Sequence, residues 1–578
     1  MTESNRCRAN SRCITGRLSR RKPLLRHAMR LVPGTLLFAL LCIMVVPAFA
    51  APADASRPLA DTPPMGWNDW AHYQCDFTAQ TILSNAQALV KSGLAARGYN
   101  TVTIDDCWMQ KDRDAAGNLQ VDPVRFPQGM LPIARAVHAL GLHFGIYEDA
   151  GYETCGVFAG SGNSKDGGKD HFVQDTKLFA SWGVDYLKLD GCNVAVPHGS
   201  SQIEAYRKAY AAQSAALKTA GRPIVFSESA PAYFQGKPEW YDVLSWVRGY
   251  GQLWREGDDI ATFDPKKPDT PRFHDVLWNY AYNLPLGRFQ KPGNWNDPDF
   301  IIGGDRGMTL NETRSQLTLW SMMSAPLILS SQLDQLSPQA VAILGNKDVI
   351  AIDQDRLGRM ATLVQRSSVM DVLFKPLQGG EYAIAVLNHG TGPIRSNLVA
   401  TDFGFASNAG CRLDIRNLWS GEHEPSASTV RAEVASHDTE IWRIHPSSSC
   451  GAPTATGMIT KILTGDHHDI EAYSRCLTNL GSVSACAATP AETWTLTRGG
   501  ALQSGGRCLA LADHKPVMQA CSDSSKTQHW RYTLAGNLVG VDSECLTASG
   551  PETKAQGLSA RACGHNSPNQ IWSLPNAN

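Results

Sequence analysis

Along its first two-thirds this chain alternates between two kinds of hydrophobic pattern. Short runs rich in β-branched and aromatic residues read as strands, and longer segments with helical spacing of apolar positions separate them. Each strand-like run ends in acidic or aromatic residues. Residues 101–104 run into Asp105-Asp106-Cys107-Trp108, and 142–146 into Tyr147-Glu148-Asp149. Residues 223–226 run into Ser227-Glu228-Ser229, and 293–295 into Asn296-Asp297-Pro298-Asp299. Helices are expected at 78–91, 170–181, 203–219 and 272–283. Strand, polar end and helix, repeated about eight times, predict an α/β fold of the (β/α)₈ TIM-barrel type, with reactive residues at the carboxyl ends of the strands.

The stretch 184–193, Val-Asp-Tyr-Leu-Lys-Leu-Asp-Gly-Cys-Asn, is the most pointed of these. It reads as a buried strand that ends in Asp190. Lys188 lies two residues earlier, on the same side of the pleat. An ammonium beside a carboxylate favours the ionised form, which suits a nucleophile. The alternative is a strand-end Asp that caps the next helix.

Beyond the barrel the pattern changes. Residues 359–446 alternate apolar and polar positions in short runs, as an antiparallel β-sandwich domain does. A Ser/Gly/Pro/Thr stretch, 447–457, reads as a linker. Residues 458–578 hold a threefold repeat of Cys-Leu, a second Cys and a Trp: Cys476, Cys486, Trp494; Cys508, Cys521, Trp530; Cys545, Cys563, Trp572. Trp spacings of 36 and 42 residues suit a threefold β-rich array. Pairing within each repeat, Cys476–Cys486, Cys508–Cys521 and Cys545–Cys563, uses all of these cysteines. A disulfide-stapled module without a binding role is the alternative reading.

Composition refines this picture. The first fifty residues carry nine Lys/Arg and one acid, so the formal net charge of −1 conceals a net of −9 over the remainder. That balance does not suggest nucleic-acid binding. The basic start, the apolar run 36–46 and Ala48-Phe49-Ala50 predict a signal peptide over 1–50, with a retained signal-anchor as the alternative. A secreted or periplasmic chain without stable membrane association after cleavage is expected. Three of the 15 cysteines fall in this leader, and the remaining twelve are an even number, as an oxidised framework prefers. No CxxC or HExxH spacing suggests a metal, and no cofactor is expected.

Six ordered motifs, PPMGWNDW (63–70), TIDDCW (103–108), FGIYEDAGYETC (144–155), DYLKLDGC (185–192), WREGDDI (254–260) and NWNDPDF (294–300), resemble the α-galactosidase / α-N-acetylgalactosaminidase group, glycoside hydrolase family 27. The C-terminal repeat resembles a ricin-B-type β-trefoil lectin, with intact Gln528-His529-Trp530 and Gln570-Ile571-Trp572 and a degenerate Glu492-Thr493-Trp494. The first resemblance implies a secreted retaining glycosidase acting on terminal α-D-galactosyl residues. Asp190 would be its nucleophile and Asp259 its acid/base, the two carboxyls about 5–5.5 Å apart. Asp258 occupies a position that is usually Gly. It would raise the pKa of Asp259 as a like charge does, or point to solvent; a slip of one residue would make Asp258 the acid. The resemblance further implies Asp105 and Asp106 on the C4 and C6 hydroxyls and Lys188 on ring hydroxyls. Trp67 would pack against the sugar's apolar face, Tyr147 would lie near the nucleophile, and Arg255 and Asp299 would hold the C2 side. It implies disulfides Cys75–Cys107 and Cys155–Cys192, leaving Cys411 and Cys450 as a possible further pair.

The resemblance implies that the loop after the fifth strand sets which C2 substituent the sugar carries. Aligned on Pro231 and Tyr233, Ser229 and Ala232 take the small-residue positions of N-acetylgalactosamine-specific members. A shift by one places Glu228 in the pocket and restores a galactose-like site. Phe300 replaces the usual Met. α-Galactosidase is the first reading, with α-N-acetylgalactosaminidase and β-L-arabinopyranosidase as alternatives, and a non-catalytic carbohydrate-binding protein as the alternative of another class. The lectin-like repeats lack the usual Asp behind Cys-Leu, carrying Thr478, Ala510 and Thr547 there, so polysaccharide binding by this part is an open expectation.

Overall fold

The computed structural model describes residues 59–163, 168–406, 410–462, 474–551, 554–565 and 567–575. The expected signal peptide lies outside them. Eight parallel strands come first: β1 Met65–Asn68, β2 Thr101–Ile104, β3 His143–Asp149, β4 Tyr186–Asp190, β5 Val225–Glu228, β6 Leu253–Arg255, β7 Trp295–Asp297 and β8 Leu327–Leu329. Each pairs with its sequence neighbour from β1 to β7, and β1 also pairs with β8. A parallel bridge between Ile301 and Leu329 joins the chain beyond β7 to β8 and closes the ring. The strands are nearly all buried because helices cover the outer face and side chains fill the inner one. The outer helices begin as their sequences predict. Thr78, Ser201 and Thr309 accept from the third backbone N–H of the helices Ala79–Lys91, Gln202–Leu217 and Leu310–Met323.

A six-stranded antiparallel sheet and the two-stranded Ile394–Val399/Thr429–Val434 ribbon follow, around a core that includes Val372, Phe374, Ile384, Leu398 and Val430. The Cys411–Cys450 disulfide fastens the end of this domain. The stretch 447–457 is structured. Ser448–Cys450 is a 3₁₀ turn, and strand Ala455–Met458 pairs with Thr493–Leu496 of the next region.

That region is β-rich and threefold. Each repeat's Trp donates its indole N–H to the Leu carbonyl of its own Cys-Leu pair: Trp494 to Leu477 at 2.8 Å, Trp530 to Leu509 at 2.9 Å and Trp572 to Leu546 at 2.9 Å. The Gln two residues earlier pins the chain after the second Cys. Gln528 Oε1 accepts from Ser522 N, and Gln570 Oε1 accepts from Gly564 N. Glu492 does the same for Ala487 N, so the degenerate first repeat keeps the architectural role of the motif. The disulfides Cys476–Cys486, Cys508–Cys521 and Cys545–Cys563 close the three repeats. Among the described residues no helix is long and apolar enough to cross a membrane.

Candidate active site

β4 delivers Asp190 to the carboxyl-terminal mouth of the barrel, where three donors meet it. The Tyr233 hydroxyl donates to Oδ1 at 2.6 Å, the Gly191 N–H to the same oxygen at 2.9 Å, and the Tyr147 hydroxyl to Oδ2 at 3.2 Å. Gly191 is required by crowding. A Cβ there would lie 2.8 Å from the Tyr233 ring and 3.0 Å from Tyr206 and from Tyr210 Oη. Asp149, at the end of β3, lies behind Tyr147 and accepts from Gly151 N at 2.6 Å and Cys192 N at 3.0 Å. Burial, then the charge of Asp190, pushes the Asp149 carboxyl well above the usual range. The Cys155–Cys192 disulfide braces the same corner.

Lys188 does not pair with Asp190 as its place on the strand suggested. Its ammonium reaches across the barrel interior to Asp105 Oδ2 at 2.7 Å, and Asn68 Nδ2 donates to that same oxygen at 2.6 Å. Strand parity fixes the face a side chain takes, and β2 supplies a carboxylate within reach of that face. Burial works against the charge on Lys188, but Asp105 and then Asp190 outweigh it and hold the ammonium protonated. Asp190 therefore feels Lys188 at longer range. Asp106 accepts from Cys107 N at 2.7 Å and Gly156 N at 2.8 Å, and burial pushes its carboxyl up to about 6. The Cys75–Cys107 disulfide anchors this turn.

β6 ends in Arg255, which is buried and bridges two carboxylates. Nη1 lies 2.9 Å from Asp299 Oδ1 and Nη2 lies 3.0 Å from Asp259 Oδ1. Asp299 is buried, and burial raises its carboxyl against the pull of Arg255. Asp259 differs, with a side chain 69% exposed. Neighbouring protein atoms work to raise its carboxyl, but Arg255 and then Lys188 hold it below the ordinary range. The expected upward push from Asp258 is therefore absent. The Asp258 carboxylate turns to the Trp278 indole N–H at 3.3 Å.

In the β5 loop, Glu228 turns away from the mouth and is wholly buried where a Cβ on Gly251 would meet its Oε1 at 2.4 Å. Ser229 Oγ is buried without a hydrogen-bond partner among the described residues, and Ala232 is half-buried. Phe300 lies with its ring 5.0 Å from the Lys188 ammonium.

Trp67 is a correction. It is 0% exposed and its indole donates to the Ser331 carbonyl at 2.9 Å, so it offers no face to a ligand. Its neighbour Asn68 takes the inner face of the barrel, and alternation sends Trp67 the other way. Trp70, in the same motif, is half-buried beyond the strand end, its backbone N–H held by Asn68 Oδ1 at 2.8 Å. Sequence reasoning missed Asn68 and Asp149 as members of this site. The alternation of β1, applied to PPMGWNDW, would have found the first.

A family described as alpha galactosidase A matches residues 62–355, more than half of the chain. The chain belongs to the α-galactosidase A family. The alpha galactosidase C-terminal beta sandwich domain matches 367–444, and the ricin-type beta-trefoil lectin domain matches 457–572. "Alpha-galactosidase A" of Aspergillus niger is 35% identical over 89% of this chain and 92% of its own length. "Alpha-galactosidase" of Oryza sativa subsp. japonica is 37% identical over 67% of this chain and 86% of its own. The crystal structure of alpha-galactosidase I from Mortierella vinacea superposes with a TM-score of 0.59 at 29% identity, covering 68% of this chain and 98% of that one. The corner around Asp190, the Lys188–Asp105 pair and the Arg255 bridge together form the candidate site of this chain.

Proposed function

We propose that the chain is a retaining glycosidase that releases terminal α-D-galactosyl residues from galactosides. The observation that carries this reading is a fixed, hydrogen-bonded Asp190 at the end of β4, with an exposed Asp259 held by Arg255 of β6, in a member of the α-galactosidase A family. Asp190 attacks the anomeric carbon while Asp259 protonates the departing oxygen. Asp259 then takes a proton from the water that releases the sugar. In the free site Arg255 keeps Asp259 ionised. Its exposed side chain makes that pair weak, and a leaving group laid over it removes water and favours the protonated acid.

Asp105 and Asp106 accept from the C4 and C6 hydroxyls, with Lys188 fixing Asp105 and reaching the ring hydroxyls. Arg255 and Asp299 flank C2. Trp70 takes the stacking role first expected of Trp67. The β5 loop supports a second reading. Glu228 faces away, and Ser229 with Ala232 leaves the room an acetamido group needs, as in an α-N-acetylgalactosaminidase. Rates on nitrophenyl α-galactoside, α-N-acetylgalactosaminide and β-L-arabinopyranoside test the assignment. Preference for the first supports it, and preference for another replaces the substrate while keeping the mechanism.

The six disulfides fit an oxidising compartment, and we read the protein as secreted or periplasmic. The trefoil is read as a carbohydrate-binding module that holds the enzyme on polysaccharide. Loss of polysaccharide pull-down on removal of 458–578 is the expected result, and unchanged retention would count against that role.

A further inference from the structure

One short turn touches both halves of the site. The loop that leaves β5 forms a 3₁₀ turn, Ala230–Phe234, which ends at Gln235. Tyr233 donates to Asp190 Oδ1 at 2.6 Å. Two residues later, Gln235 Oε1 accepts from the main-chain N–H of Asp258 at 2.8 Å, on the loop that leaves β6. Between them Phe234 is buried, its ring edge-on to Tyr206 with centroids 5.2 Å apart. Lys237 closes the turn. Its ammonium donates to Tyr233 O at 2.7 Å and lies 5.3 Å from the centre of the Phe234 ring.

The β6 loop is shaped to meet that contact. Asp258 O accepts from Arg255 Nη2 at 3.0 Å and from the Tyr282 hydroxyl at 3.2 Å. The residue before Asp259 is therefore held at both its N–H and its carbonyl. Gly257 is packed between the two partners. A Cβ there would lie 2.5 Å from Tyr282 Cζ and 2.8 Å from Gln235 Cδ. The fixed part is the backbone, and the Asp259 side chain stays 69% exposed.

We propose that Gln235 is a positioning residue for the acid/base, and that the turn from Tyr233 to Gln235 is the spacer that sets nucleophile and acid/base at their working separation. The proposal rests on the assignment of Asp190 and Asp259 to those roles. A retaining site needs its two carboxyl groups about 5–5.5 Å apart. Asp190 ends β4 and Asp259 follows β6, and β5 pairs with both of those strands. The β5 loop can therefore reach both carboxylate-bearing segments, and it does so at residues 233 and 235. A misplacement of about 1 Å at a reacting group can cost about 10²-fold in rate. Ser229 and Ala232 lie on the same loop, so a substitution there that changes the accepted sugar also moves the acid/base through Gln235.

The test compares kcat/KM on methyl α-galactoside, whose leaving group needs a proton, with kcat/KM on dinitrophenyl α-galactoside, whose leaving group does not. The full chain is used. The ratio of the two reads acid catalysis per active molecule, whatever fraction of a variant folds. Asp259→Ala sets the reference, and its ratio should fall by about 10²–10⁴-fold, the usual contribution of a general acid. Gln235→Leu leaves the Asp258 N–H without its acceptor. Its ratio is expected to fall about tenfold, part of that contribution, with the dinitrophenyl rate within about threefold of wild type. Gly257→Ala presses on the same contact from the other side. Its ratio is expected to fall in the same direction, and it decides the matter if Gln235→Leu gives no folded protein. Tyr233→Phe is expected to lower both rates and leave the ratio within about twofold, because the nucleophile attacks whichever group departs. An unchanged ratio in Gln235→Leu, with the reference loss present in Asp259→Ala, overturns the proposal. Equal falls of the ratio in Tyr233→Phe and Gln235→Leu also overturn it, because the two ends of the turn would then not serve different carboxylates. No selective loss in Asp259→Ala would overturn the assignment of the acid, and the proposal with it. If the wild type prefers N-acetylgalactosamine, the same two leaving groups on that sugar carry the test, because the ratio depends on the leaving group alone.

Discussion

Asp190, at the end of β4, accepts hydrogen bonds from two phenols and a backbone N–H. Asp259, four residues beyond Arg255 of β6, has one ion pair and a side chain 69% exposed. The difference fits their proposed tasks. A nucleophile must meet one carbon along one line, so its carboxylate gains from being fixed before substrate arrives. An acid/base must donate to a leaving oxygen and later meet a water, so it gains from freedom and from a charge state that changes when the site is covered.

The largest effects come from breaking each side in turn. Asp190→Ala is expected to lower kcat by at least about 10³-fold on every substrate, because no covalent step remains. Asp259→Ala is expected to lower it by roughly 10²–10⁴-fold on oligosaccharides. On a dinitrophenyl galactoside, whose leaving group needs no proton, formation of the covalent intermediate should survive in Asp259→Ala and appear as a burst. A burst in Asp190→Ala, or none in Asp259→Ala, would reverse the assignment. Asp258→Ala should stay within a few-fold of wild type, because its carboxylate faces Trp278; a loss as large as that of Asp259→Ala would move the acid to Asp258.

A finer break removes one donor from the fixed side. Hydrogen bonds to charged groups contribute about 1.5–3 kcal/mol, so Tyr233→Phe is expected to lower kcat about 10- to 100-fold with little change in KM. If only KM rises, Tyr233 binds substrate and does not position Asp190.

pH sharpens the same side. Burial raises the Asp106 carboxyl from 3.8 to about 6, so the folded protein holds that proton more tightly than the unfolded chain. Its contribution to stability is therefore greatest at low pH, declines as pH rises between these values, and is fully lost above the upper one. Two pKa units correspond to about 3 kcal/mol as an upper figure. The thermal midpoint of wild type should fall more steeply than that of Asp106→Asn between about pH 4 and 6, the window set by that shift. Parallel profiles would remove Asp106 from the account.

Much of the barrel was legible in the sequence. The strand expected at 101–104 is β2 residue for residue, and the helix expected at 78–91 starts one residue later because Thr78 is its cap. Strand ends were legible because apolar runs stop where the chain turns towards the mouth. Partners across the barrel were not. Lys188 and Asp105 sit on strands separated by β3, and their contact depends on the curvature of the ring. Trp67 and Trp70 show the other limit, since a motif names aromatics without saying which faces inward. The Gln and Trp of the C-terminal repeat were legible as a pattern, and their work as loop pins appears only with the hydrogen bonds drawn.

The smallest expected effect lies in the turn that fastens the fixed side. Val157 sits between Gly156, whose N–H holds Asp106, and Phe158, and it adopts φ 63° with the residue 51% exposed. A β-branched residue in the left-handed region costs on the order of 1–2 kcal/mol. The turn tolerates this because Val157 N donates to Thr154 O at 3.1 Å and Phe158 N donates to Thr154 Oγ1 at 3.1 Å. Val157→Gly removes the strain and adds freedom to the unfolded chain, two terms of opposite sign. The net expectation is a gain of about 1 kcal/mol, read as a higher midpoint in denaturant. If kcat/KM on oligosaccharides falls while stability rises, the exposed isopropyl group contacts substrate and the strain is retained for binding. If activity is unchanged, the strain belongs to the fold alone and the fixed side of the site does not depend on it.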